Sequence, residues 1–110
     1  MQKTSLTALS QKLLEDALRS SSGRSSRTVF GGHERVLRQT VITLAAGQEM
    51  SEHVSPGEAT IYVLRGRVTL TAGETSWHGM AGDHLIIPEL PHGVEAIEDS
   101  AILLTVAKLP

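Results

Sequence analysis

His53 and His92 are the residues whose type and position best suit chemistry. His53 lies in the stretch GQEMSEHVSPGEATIYVLRG and His92 in GDHLIIPELPHGVEA, each at a strand edge beside turn-forming residues. An imidazole donates and accepts hydrogen bonds and changes charge near neutral pH, so a pair of them can bind a polar or anionic group or exchange a proton with it. In an antiparallel barrel the turns and strand ends form a rim, where side chains far apart in sequence converge on the interior. Each could equally be a surface or turn histidine with no ligand. No nucleophile accompanies them. Ser55 lies near His53, but there is neither a G-x-S-x-G elbow nor a third orienting residue, which argues against hydrolysis. The chain has no cysteine, which removes disulfides, thiolate metal ligands and a thiol nucleophile.

Short β-type runs punctuated by glycine and proline must position these histidines. Strands are expected at 38–44, 60–64, 67–71, 84–87, 93–97 and 101–107, with a weak one at 75–78. The segments between them, such as SPGE, MAGD and PELP, hold no helical pattern. That excludes βαβ units and leaves an antiparallel sandwich or barrel. Ile42 and Leu44, Ile61 and Val63, Val68 and Leu70, and Ile102, Leu104 and Val106 alternate with period two, so each set faces one side of its sheet. Leu64, Ile86 and Leu103 are apolar on the reverse face, which predicts a second covered surface, under a helix or against another subunit. A homodimer formed by sheet packing or strand exchange is therefore expected. Trp77, on the weak strand, is expected in the core or at that interface. Gly66, Gly73 and Gly82 fall between runs, where tight turns with positive φ are needed, and Pro56 and Pro88 fall at strand boundaries.

Leu6, Leu9, Leu13 and Ala17, joined by Leu14 and Leu18, draw an apolar stripe at helical spacing, with Thr4 or Ser5 as the cap. The following SSSGRSS at 20–26 reads as a flexible connector. The expected organisation is a helix with a flexible basic arm over 1–27 and a barrel over 28–110. At 110 residues the chain suffices for one domain. Residues 1–40 carry seven basic and three acidic side chains, and 41–110 carry three basic and nine acidic. Arg24, Arg27, Arg35 and Arg38 are expected to pair with Glu95, Glu98 or Asp99, or one of them to enter the pocket and hold an anion. With an overall charge of −2 and only Phe30, Tyr62 and Trp77 as aromatics, nucleic-acid binding is not expected. No apolar run of membrane-spanning length and no secretory pattern occurs, so a cytoplasmic protein is expected.

Residues 36–107 resemble the cupin superfamily in its small single-domain form. The first cupin motif (Gly, five residues, His, one residue, His, three or four residues, Glu, six residues, Gly) is met by Gly47, His53 and the YVLRG run ending at Gly66. The second (Gly, five residues, Pro, a turn and His) is met by Gly82, Pro88 and His92. The resemblance implies an all-β fold, a small antiparallel β-barrel or double-stranded β-helix of jelly-roll, RmlC-like type, here with an N-terminal α-helix, and it supports a dimer. Metal-binding cupins use two His and one Glu from the first motif and one His from the second. Here Ser55 stands for the second His and Ala59 for the Glu, and PELPH shortens the second motif.

Half the usual ligand set is thus absent, and serine is a weak, neutral ligand. Glu58, one position before the usual carboxylate, substitutes only if the SPGE turn redirects it inward, and His84 is a further candidate donor. The resemblance then implies two functions. Without metal, a cavity lined by His53, Ser55, Glu58, Ile61, Val63, His92 and Val94 binds a small polar or anionic metabolite, with His53 or His92 as acid or base; this is the leading expectation. In the alternative, His53, Glu58 and His92 hold Fe, Zn, Mn or Ni against a wall of Ile61, Val63, Val94 and Ala96, in a small-molecule dioxygenase or isomerase.

Overall fold

The computed structural model describes residues 2–54 and 57–108, with 52 and 53 given through their backbone. The apolar stripe forms helix α1 (Leu6–Arg19), and Ser5 is its cap: its hydroxyl accepts a hydrogen bond from the Ala8 N–H at 3.2 Å. Nine strands follow among the described residues. They are β1 (Arg24–Phe30), β2 (Leu37–Leu44), β3 (Glu49–His53), β4 (Gly57–Arg65), β5 (Arg67–Ala72), β6 (Thr75–Met80), β7 (His84–Ile87), β8 (His92–Ala96) and β9 (Ser100–Lys108). All pairings are antiparallel, in a five-stranded sheet ordered β1-β2-β9-β4-β7 and a four-stranded sheet ordered β3-β8-β5-β6. Two such sheets face to face make the jelly roll.

Period two gives each sheet an inner face. Leu44, Ala59, Ile61, Val63, Ile87, Ile102 and Val106 from one sheet meet Val68, Leu70, Val94 and Ala96 from the other in a single apolar core. The reverse face of the five-stranded sheet is the one that α1 covers. Leu9 and Leu13 pack on Val41, with Val29, Leu64 and Leu103 around them. The buried Thr43 hydroxyl donates to the Leu13 carbonyl at 2.9 Å, which fastens helix to sheet. Beyond the helix this face stays open: Tyr62 is 41% and Ile86 73% exposed.

Two strands differ from expectation. The serine-rich stretch read as a connector is a turn only over residues 20–23; from Arg24 it is already β1, paired with β2 from Arg24↔Leu44 to Thr28↔Thr40. The expected boundary between residues 27 and 28 therefore falls inside a strand. The edge strand β3 has weak alternation and was not expected at all. Glycine provides the tight connections as expected, with φ of +83° at Gly66, +60° at Gly73 and +96° at Gly82.

Hydrogen bonds identify the two ends of the barrel. At one end the Gly47 N–H donates to the Ala96 carbonyl and the Ala46 N–H to Asp99 Oδ1, both at 2.8 Å. The strand directions then gather the start of β2, the end of β3, the starts of β4 and β8 and the end of β9 at the opposite end, called the mouth below.

Candidate functional site

β3 lies on β8 with Glu49 opposite Glu95, Met50 opposite Val94 and, after a register shift, residue 53 opposite His92. The shift is what brings the two histidine positions level at the mouth. On the other side of β8, His92 is opposite Ala72 of β5. His92 is 1% exposed, on the inner face it shares with Val94 and Ala96. Its Nδ1 lies 2.9 Å from the Leu90 carbonyl oxygen. A carbonyl only accepts, so Nδ1 carries the proton and the ring orientation is fixed by the PELP turn. Pro88 and Pro91 restrict that turn, because each fixes its own φ.

The remaining expected site residues divide sharply. Ile61, Val63, Val94 and Ala96 face inward but lie in the packed core, so they form the floor behind the mouth. Glu58 does not join them, a correction to the expectation that the turn redirects it. β4 begins at Gly57 and alternates at once: Gly57, Ala59, Ile61 and Val63 are buried, while Glu58 is exposed on the outer face. His84 is also exposed on the outer face, opposite Tyr62. Ser55 and Pro56 lie outside the described residues. Trp77 sits opposite Leu70 on edge strand β6, with 40% of its surface exposed.

The described donors do not assemble a site for a divalent ion. Among the described residues no three His, Asp or Glu side chains come together closely enough to hold one. Ala59 presents a methyl group where a carboxylate would be needed, and both Glu58 and His84 are on the wrong face. The basic segment does not pair as expected either. Glu98 pairs with Arg67 at 3.2 Å, and Asp99 accepts from Ala46. An open cleft of about 300 Å³ on the outside of the four-stranded sheet is lined by Arg67, Thr69, His78, Met80, Asp83 and Ile97. It lies toward the end away from His92, and Thr69 already engages His78 Nδ1 at 3.1 Å.

Two antiparallel sheets face to face in this order define the class of small double-stranded β-helix, or jelly-roll, proteins. The sequence match agrees: the cupin domain model matches residues 40–107, and the chain belongs to the cupin family. A conserved protein of unknown function from Streptococcus pyogenes is 30% identical, the match covering 83% of this chain and 79% of that one at a TM-score of 0.74. An RmlC-like cupin from Desulfovibrio desulfuricans is also 30% identical, covering 76% and 81% at a TM-score of 0.67. Salicylate 1,2-dioxygenase from Pseudoaminobacter salicylatoxidans superposes at a TM-score of 0.77 over 91% of this chain and 34% of its own. At 16% identity that likeness is one of fold. No curated protein matches the chain. No described helix is long and apolar enough to cross a membrane.

Proposed function

We propose that this cupin binds a small polar or anionic metabolite at the mouth of its barrel, between His53 and His92, without a metal ion. The register of β3 on β8 carries the proposal, since residue 53 is opposite the buried, oriented His92. Directly opposed residues of an antiparallel pair share a face, with Cβ atoms about 4.5–5.5 Å apart. The proposal requires both imidazoles to converge on one hydroxyl or carboxylate group, toward which a protonated ring donates as acid and a neutral ring accepts as base. The ligand is small because Ile61, Val63 and Val94 fill the barrel behind the site. Two histidines fall short of the three protein donors that typically retain a catalytic divalent ion, so the dioxygenase and isomerase chemistry of metal-dependent cupins is not proposed.

The proposal includes a homodimer in which a second copy covers Tyr62 and Ile86 beside α1. These are large apolar side chains left open on the part of the sheet that α1 does not cover.

A thermal-shift screen of small hydroxy acids, carboxylic acids and sugars tests the site. A ligand at a hundred times its Kd adds about 2.7 kcal/mol to stability, several degrees in a domain of this size. The shift is expected in the native chain and lost in both His53→Ala and His92→Asn. A ligand shift that survives in both variants would overturn the proposal.

A further inference from the structure

We infer that Arg38 holds the carboxylate of that ligand, so that the barrel selects a small carboxylic acid with an apolar body. The inference rests on the mouth being the binding site and adds what the site selects. Of the chain's arginines, Arg38 is the one that is half-buried; the others are exposed. Its direction follows from β2, where Val41 and Thr43 face the helix while Ile42 and Leu44 face the core. β2 runs against β9 with no shift of register, so Thr40 and Arg38 continue the inner face. Arg38 is opposite Val106, a core residue that is itself opposite Ala59. The Arg38 side chain thus leaves its strand on the inner face, at the end where residue 53 and His92 meet.

Arg38 is also unbalanced. Among the described residues the ion pairs are Lys12–Asp16 and Arg67–Glu98, and no side-chain hydrogen bond engages Arg38. Lys108, two residues along β9 from Val106, shares its face, about 7–8 Å from Arg38 by the usual diagonal spacing. Its ammonium donates to the Gly32 and His33 carbonyls, at 2.8 and 3.2 Å. Those neutral acceptors fix the lysine but leave its charge uncompensated. Arg38 and Lys108, both half-buried, therefore start from the inner face at the mouth, and neither is in an ion pair among the described residues. A partly desolvated charge of this kind is costly without a counter-ion. A ligand oxyanion supplies one.

The rest of the row identifies the anion. A single guanidinium fork matches a planar carboxylate with two parallel N–H···O bonds. Lys108 is committed to backbone carbonyls, which leaves few direct donors for a phosphate dianion. Val106, Ala59 and Ile87, side by side on the inner face, suit a hydrocarbon body.

The test is an NMR titration of the native chain, Arg38→Met and Arg38→Lys with isobutyrate and its neutral isostere isobutyramide. Isobutyrate is expected to perturb mouth residues of the native chain and to bind roughly tenfold more weakly to Arg38→Met, consistent with loss of a charge-assisted pair. Arg38→Lys is expected to recover part of that affinity, and isobutyramide to distinguish the variants little. The ligand-free Arg38→Met protein is expected to melt no lower than the native one, because it loses an unbalanced charge and keeps an apolar stem. Equal isobutyrate affinity in native and Arg38→Met protein overturns the inference. If His53→Ala and His92→Asn still lose the ligand in that case, the histidine site survives without it. Equal affinity of the native chain for amide and acid, or no perturbation of the mouth by millimolar isobutyrate, also overturns it.

Discussion

Leu13→Ala measures how far α1 belongs to the barrel. Leu13 is 3% exposed and packs on Val41, with Leu64 and Leu103 nearby. Truncation removes three carbon groups at about 0.8 kcal/mol each, or about 2.4 kcal/mol. A residual cavity raises such losses into a range of about 2.7–5 kcal/mol, and the better helix propensity of alanine returns only a few tenths. The Thr43 hydroxyl still holds the residue 13 carbonyl, which keeps the helix in place and prevents collapse from filling the gap. The expected loss is about 3 kcal/mol, read by urea unfolding as a lower midpoint with an unchanged slope. Leu18→Ala, at a half-exposed position on the same helix, serves as the control and is expected near zero. A loss below about 1 kcal/mol in Leu13→Ala, or a reduced slope, would show that the helix frays independently and is no part of the cooperative fold.

Three further outcomes follow. Gly66→Ala is expected to be severely destabilising, since φ is +83° and a Cβ there would collide with the Asp99 carbonyl oxygen and Ser100 Oγ; Gly73→Ala, with open space around it, should cost only the backbone strain of about 1–3 kcal/mol. Chemical denaturation of the two variants compares them. Thr43→Val should cost about 1 kcal/mol by the same assay, the net worth of one buried hydrogen bond, and a neutral result would mean that the bond to Leu13 contributes nothing. Ile86→Ser is expected to leave the unfolding midpoint of the subunit fold nearly unchanged but to shift mass in solution from dimer to monomer, and a native chain that is monomeric at high micromolar concentration would refute the dimer.

The sheet architecture was legible wherever apolar alternation was strong. β7 (His84–Ile87) starts and stops where expected, and β4, β5 and β9 are longer than expected by a few terminal residues. β1 was hidden because serine and arginine give its stretch no apolar face. It is a strand through its pairing with β2, which overrides local composition. β3 was hidden because, among its described side chains, only Met50 packs against the core. Of Leu64, Ile86 and Leu103, which signalled a covered reverse face, Leu64 and Leu103 are covered by α1 while Ile86 is 73% exposed. Glu58 was misread because the expected break in parity does not occur: the strand restarts at Gly57 with its alternation intact. Arg38 was available to the same logic. Arg24, Arg27, Arg35 and Arg38 stood as equal candidates to enter the pocket, and counting back by twos from Leu44 and Ile42 through Thr40 reaches Arg38 alone among them on β2.

Cross-relaxation between the ring protons of His53 and His92, measured by NMR on the ligand-free chain, tests the site at its root. Residues directly opposed in an antiparallel pair bring their Cβ atoms to about 4.5–5.5 Å, so a clear ring-to-ring signal is expected and should change when a carboxylate ligand enters. No cross-relaxation, with the His53 ring giving contacts only to water, would contradict a binding site shared by the two histidines.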